Sequence, residues 1–92
     1  MDCLKFIVSG KVQGVFYRKY VSQAMNRGKF IGYVKNLQDG NVEVVVKNSK
    51  DLNIKDILDI LYKGSPKSEV KAVDMVVCED NIKLNNNFEV RY

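Results

Sequence analysis

The stretch KFIGYVKNLQDGNVEVVVK (29–47) reads as two strands joined by a tight turn. Phe30, Ile31, Tyr33 and Val34 mark the first strand and VEVVVK the second, residue types that fit a pleated, half-buried surface. Between them, QDGN places Asp39-Gly40 where a hairpin needs a positive φ. Toward the N-terminus the period becomes helical from about Tyr17 to Arg27, with Tyr20, Val21, Ala24 and Met25 on one face and Gly28 as the stop. Before that, Leu4, Phe6 and Val8 alternate with Lys5 and Ile7 as a mostly buried strand. Toward the C-terminus, Ser49 is placed to cap a second helix and Asp51 suits its positive end. Ile54, Ile57, Leu58 and Leu61 share one face of that helix, and Gly64 ends it. The loop GSPKS leads to a fourth strand, VKAVDMVVC, and FEVRY is a short last strand with Phe88, Val90 and Tyr92 on one side.

The order predicts an α+β, ferredoxin-like sandwich: βαββαβ with a short extra C-terminal strand, two helices covering one face of an antiparallel sheet. One domain over residues 1–92 accounts for the length, with no linker, repeat or low-complexity segment. The first crossover makes the first two strands parallel, so the loop after strand one (10–17) and Asn36, at the end of strand two, meet at one sheet edge. By analogy with open α/β sheets, that carboxyl edge is where a ligand binds.

Composition narrows the chemistry. Hydrophobic residues make up 46% of the chain, which excludes a disordered segment. A net charge of +4 suits an anionic ligand, phosphate-bearing small molecule or nucleic acid alike. There is no histidine, which removes the usual neutral-pH base and every Ser-His or Cys-His nucleophile pair. A metal site is not expected, since the acids are scattered. Cys3 and Cys78 read as two reduced strand residues, with a bridge between the first and fourth strands as the alternative. MDCLKFIVSGK lacks a basic leader and reads as a strand, and no run suits a membrane helix, so a soluble, cytoplasmic monomer is expected.

The loop SGKVQGVFYR (9–18) carries the site. Gly10 and Gly14 permit backbone angles closed to other residues, so that successive N–H groups can form an anion nest ahead of a helix N-terminus. Arg18, in the first helical turn, can grip two phosphate oxygens at once. Neither a Walker loop nor GxGxxG is present, and on these grounds alone the loop is either a phosphate cradle or a structural turn. Lys11, Lys19 and Lys35 read as solvated lysines that raise the local potential.

GKVQGVFYR followed by GYVKNLQDGNVEV resembles the acylphosphatase family, and the likeness extends to GSPKS. The resemblance implies hydrolysis of a carboxylic–phosphoric anhydride to a carboxylate and inorganic phosphate, without metal or cofactor. It implies an acyl phosphate as the small-molecule partner and phosphate or sulfate as a product-like ligand. The family's phosphate-gripping arginine falls on Arg18, its water-positioning asparagine on Asn36, and its cradle on Gln13, Gly14, Val15, Phe16 and Tyr17. Tyr33 stands where many members carry tryptophan and Leu37 where some carry threonine, departures that bear on substrate preference. The main rival is an RNA-binding module of the same strand order, since RGKFIGYV (27–34) resembles an RNP1 pattern. That pattern belongs on strand three, and here it falls on strand two. A non-catalytic ligand-sensing domain is a second alternative.

Overall fold

A computed structural model describes residues 3–92, so Met1 and Asp2 of the N-terminal strand reading lie outside the described residues. The elements are β1 (Cys3–Lys11), α1 (Tyr17–Arg27), β2 (Gly32–Asn36), β3 (Val42–Lys47), α2 (Ile54–Lys63), β4 (Glu69–Val76) and β5 (Phe88–Arg91). The sheet runs β4-β1-β3-β2-β5. Its first four strands are mutually antiparallel neighbours, and β5 adds to β2 in parallel. β1 and β2 both pair with β3, so they run the same way and end at the same edge.

Alternation sets the core. Leu4, Phe6 and Val8 lie opposite Val46, Val44 and Val42, and this set meets Val21, Met25, Ile57 and Leu61 from the two helices. Of the expected α1 face, Val21 and Met25 are buried, and the stripe is completed by Tyr17, four residues before Val21, instead of by Tyr20 and Ala24. Tyr20 and Ala24 flank it and face a groove shared with Ile60 and Lys63. On α2, Ile57 and Leu61 are buried, while Ile54 is exposed.

Several helix ends differ from expectation. Asn53 caps α2, its Oδ1 accepting the Lys55 N–H at 2.9 Å, whereas the Ser49 carbonyl closes a preceding turn with Leu52. Gly28 keeps a right-handed φ of −80°, and the left-handed position after α1 is Lys29, φ 62°. The Lys29 N–H bonds to the Asn26 carbonyl and the Phe30 N–H to the Met25 carbonyl, which is the Schellman pattern. Gly28 is needed instead for room, since a Cβ there would lie 2.8 Å from the Phe30 ring. A side chain in the left-handed region costs about 1–2 kcal/mol. Lys29→Gly is therefore expected to stabilise the fold by about 1 kcal/mol, read as a rise of roughly 4–8 °C in Tm.

The hairpin forms as expected. Leu37 and Asn41 close it through an N–H···O bond of 2.9 Å, Gly40 takes φ 93°, and Asp39 Oδ1 accepts the Asn41 N–H. Gly10 does not belong to the loop: it lies within β1 at a shift of register against β4, where a Cβ would run into the Glu69 carbonyl.

The expectation of two reduced cysteines is corrected: Cys3 and Cys78 are bonded to each other. The cause is register. β4 ends at Val76, opposite Lys5 of β1, and the same antiparallel register carried two residues past that end sets Cys78 against Cys3, with 6.0 Å between Cα atoms. Residues 77–87 then cross the sheet face away from the helices, where Ile82 and Leu84 pack against the buried cluster of Tyr33 and Val45.

Candidate active site

Residues 12–16 join β1 to α1, and their conformation is built by two left-handed residues, Gly14 (φ 73°) and Phe16 (φ 61°). A Cβ on Gly14 would meet nothing within 4 Å, so the glycine serves the backbone angle and not space. Phe16 takes the N-cap position with its side chain exposed and no side-chain cap bond, a strained choice of residue.

The loop is braced from behind. Ser65 Oγ donates to the Val15 carbonyl at 2.6 Å. Gln13 Nε2 donates to the carbonyls of Leu37 and Asn41, at 2.8 and 2.9 Å, tying the loop to the β2–β3 hairpin. Tyr17 is buried and donates to the Leu61 carbonyl at 2.8 Å, and burial holds its phenol well above the ordinary value, so it stays protonated. Gly64 leaves the space that the Tyr17 ring fills, since a Cβ there would come within 2.7 Å of it. The amides of Gly14 through Lys19 have no acceptor among the described residues. They sit at the positive end of α1, whose first turn holds no acid.

A cavity of about 370 Å³ opens at this edge, lined by Gly14, Phe16, Tyr17, Arg18 and Asn36, with Val12, Lys19, Val90 and Tyr92. Arg18 is aimed by two contacts from β5 and the residue that follows it: its Nη1 donates to the Arg91 carbonyl at 3.2 Å, and its guanidinium lies 4.7 Å from the Tyr92 ring centroid. Asn36 is the last residue of β2, opposite Val42 of β3. Its Oδ1 is buried and has no hydrogen-bond partner among the described residues. Buried polar atoms are nearly always paired, so an orphan oxygen at a cavity wall marks a place for a ligand or water.

Of the residues singled out from sequence, Gly14, Phe16, Tyr17, Arg18 and Asn36 share the cavity, while Gln13 and Val15 act behind it as braces. Val90 and Tyr92 were missed. Their alternation was visible, but nothing in the sequence said that β5 lies beside β2. The aromatic residues of RGKFIGYV form no open stacking platform: Phe30 packs against the core, and Tyr33 is 6% exposed beneath Ile82 and Leu84.

Comparison with known proteins gives a consistent answer. The Acylphosphatase family model matches residues 4–90. An acylphosphatase of Dehalococcoides mccartyi is 45% identical over 75 residues, covering 80% of this chain and 81% of its own. The structure of an acylphosphatase from Coxiella burnetii superposes with a TM-score of 0.78 at 37% identity, over 98% of this chain and 92% of that one. The Bacillus subtilis acylphosphatase crystal structure gives 0.78 at 29% identity, over the full length of both. With the fold, the hairpin block and the loop block all in agreement, the chain belongs to the acylphosphatase family.

Proposed function

We propose that the chain hydrolyses acyl phosphates without a metal, with the 12–17 loop and Arg18 holding the phosphoryl group and Asn36 placing the water. The observation that carries this reading is that Arg18 and Asn36 line one cavity, and that Asn36 Oδ1 has no hydrogen-bond partner among the described residues.

The chemistry follows from what these groups can and cannot do. Arg18 spends one donor on the Arg91 carbonyl and keeps the rest of its planar fork for phosphate oxygens. The unpaired amides of residues 14–19 and the dipole of α1 add to the same field. Asn36 Oδ1 accepts a hydrogen bond from water and aims its oxygen at phosphorus, in line with the bond that breaks. An amide is no base, so the water proton passes to a phosphate oxygen of the substrate. The P–O bond to the acyl group breaks, and its electron pair leaves on a carboxylate that is already a stable anion. Such a reaction depends on positioning and on charge stabilisation, which is what this histidine-free site supplies.

In this reading phosphate and sulfate bind as product-like ligands, nucleic acid and membranes are not partners, and the protein acts as a monomer in the cytoplasm. Among the described residues, no helix is long and apolar enough to cross a membrane. In a reducing compartment the Cys3–Cys78 bond would be opposed by the thiol pool, and alkylation followed by mass analysis of freshly lysed cells reads its state there.

The test is hydrolysis of benzoyl phosphate beside p-nitrophenyl phosphate. The expected result is turnover of the first alone, unaltered by EDTA and level between about pH 5 and 8. Turnover of both, loss of activity in EDTA, or a sharp enzyme pKa in that window would contradict the mechanism.

A further inference from the structure

Arg91 occupies both faces of the sheet. Its carbonyl holds Arg18 at the cavity, while its side chain lies among groups on the face away from the helices. There the guanidinium stacks 4.2 Å from the Tyr33 ring centroid, and Nη2 donates to the Lys83 carbonyl at 2.8 Å. Nε donates to Glu89 Oε2 at 2.6 Å, and Asn85 Nδ2 holds the other Glu89 oxygen at 2.7 Å. The hydrogen bonds from Asn85 and Arg91 keep the Glu89 carboxyl below its ordinary pKa, so it is charged at neutral pH.

The Tyr33 ring is fixed in turn. Its hydroxyl donates to Glu43 Oε2 at 2.7 Å, and Lys5 joins Glu43 to Glu79 of the 77–87 segment. That segment starts at the Cys3–Cys78 bond and is pinned again at Lys83 by Arg91. β5 itself is four residues long, lies at the sheet edge and, among the described residues, is paired only with β2. Its ladder is a weak hold on Arg91, and the side-chain fastenings supply what the ladder lacks.

We propose that Arg91 is a positioning residue for acyl phosphate hydrolysis: fastened through its side chain to Tyr33, Lys83 and Glu89, it fixes the carbonyl that aims Arg18. This rests on the reading of Arg18 as the phosphate grip and extends the working site to the opposite face of the sheet. Arg18 grips the phosphoryl group in the bound substrate as well as during reaction, so a loosened aim appears first in binding.

The experiment measures KM for benzoyl phosphate, Ki for inorganic phosphate, and 15N relaxation of the Arg18 Nε–H in Arg91→Ala, Arg91→Lys and Glu89→Gln. Arg91→Ala is expected to raise KM and Ki about tenfold, with a smaller fall in kcat, and to lower the order parameter of Arg18 Nε. Arg91→Lys keeps the cation on Tyr33 but loses the fork, so it should recover part of the affinity. Glu89→Gln changes a half-exposed group, keeps the fold if Arg91→Ala does not, and should raise Ki about threefold. Folded variants whose Ki, KM and Arg18 relaxation match the parent, with only Tm lowered, would overturn the proposal. The relaxation readout needs no turnover, so the positioning role is judged even if the parent proves inactive toward acyl phosphates.

Discussion

Arg18→Gln is expected to lower kcat/KM for benzoyl phosphate by about 10³-fold or more and to abolish inhibition by inorganic phosphate. The size follows from what is removed: a forked pair of charge-assisted donors at a site where each preorganised donor contributes on the order of 10²–10³. Lysine should not restore it, because a point charge on a flexible stem lacks the fork and the stacking on Tyr92. The fold should persist. Arg18 gives up one hydrogen bond to the Arg91 carbonyl and one stacking contact, together worth about 1–2 kcal/mol at a half-exposed site. Circular dichroism and a thermal melt therefore separate lost chemistry from lost structure. An Arg18→Gln protein that still turns over within tenfold of the parent would remove the guanidinium from the mechanism.

Asn36→Ala acts on the other term. On the proposed mechanism it leaves the anion grip in place and removes the oxygen that aims the water, so kcat should fall by about 10²–10³ while KM stays within about threefold. Its effect on stability should be small, because Oδ1 has no partner among the described residues to lose. An orphan acceptor is itself a cost of about 1–3 kcal/mol, and its removal offsets the packing lost with the side chain. Activity lost without stability lost is the signature of a group held in place for the reaction. Asn36→Asp sharpens the test. The shape and an acceptor remain, but a carboxylate beside a phosphate dianion repels it, so KM should rise as kcat falls. A raised KM with kcat unchanged for Asn36→Ala would mean that the residue binds substrate instead of water.

The fold was legible wherever a local rule decided the outcome. Asp39-Gly40 between alternating runs could only be a hairpin, and Gly40 takes the expected φ. That hairpin, with one helix before it and one after, determines the order of the first four strands in the sheet. What escaped depended on partners far away in sequence. Ser49 and Asn53 are both acceptable caps, and only the packing of Ile57 and Leu61 selects Asn53. Gly28 looked like the left-handed residue, yet the pressure on it comes from the Phe30 ring, and the strain moves to Lys29. The cysteines were misread because nothing local gives the β1–β4 register that sets residue 3 against residue 78.

The same division holds at the site. The loop and Asn36 could be placed together because a crossover rule makes β1 and β2 parallel. Residues 90–92 obey no comparable rule: a four-residue strand can join a sheet at either edge and in either sense. Its parallel seat beside β2 brings Tyr92 to Arg18, and it follows from the long crossing of residues 77–87, whose path is set by Ile82, Leu84 and the disulfide together.

The Cys3–Cys78 bond turns most of the chain into a closed ring, with a sequence separation of 75 between its ends. Held in a force spectrometer at residues 3 and 92, the oxidised molecule can lengthen only by unravelling residues 79–92, a contour of about 50 Å at ~3.5 Å per residue. After a dithiol reductant has opened the bond, a further ~260 Å becomes available. β5 and its hold on Arg18 lie on the tether side of this lock. Under load the molecule would therefore lose the contacts that β5 and Tyr92 make with Arg18 while both helices and the inner strands stayed wound.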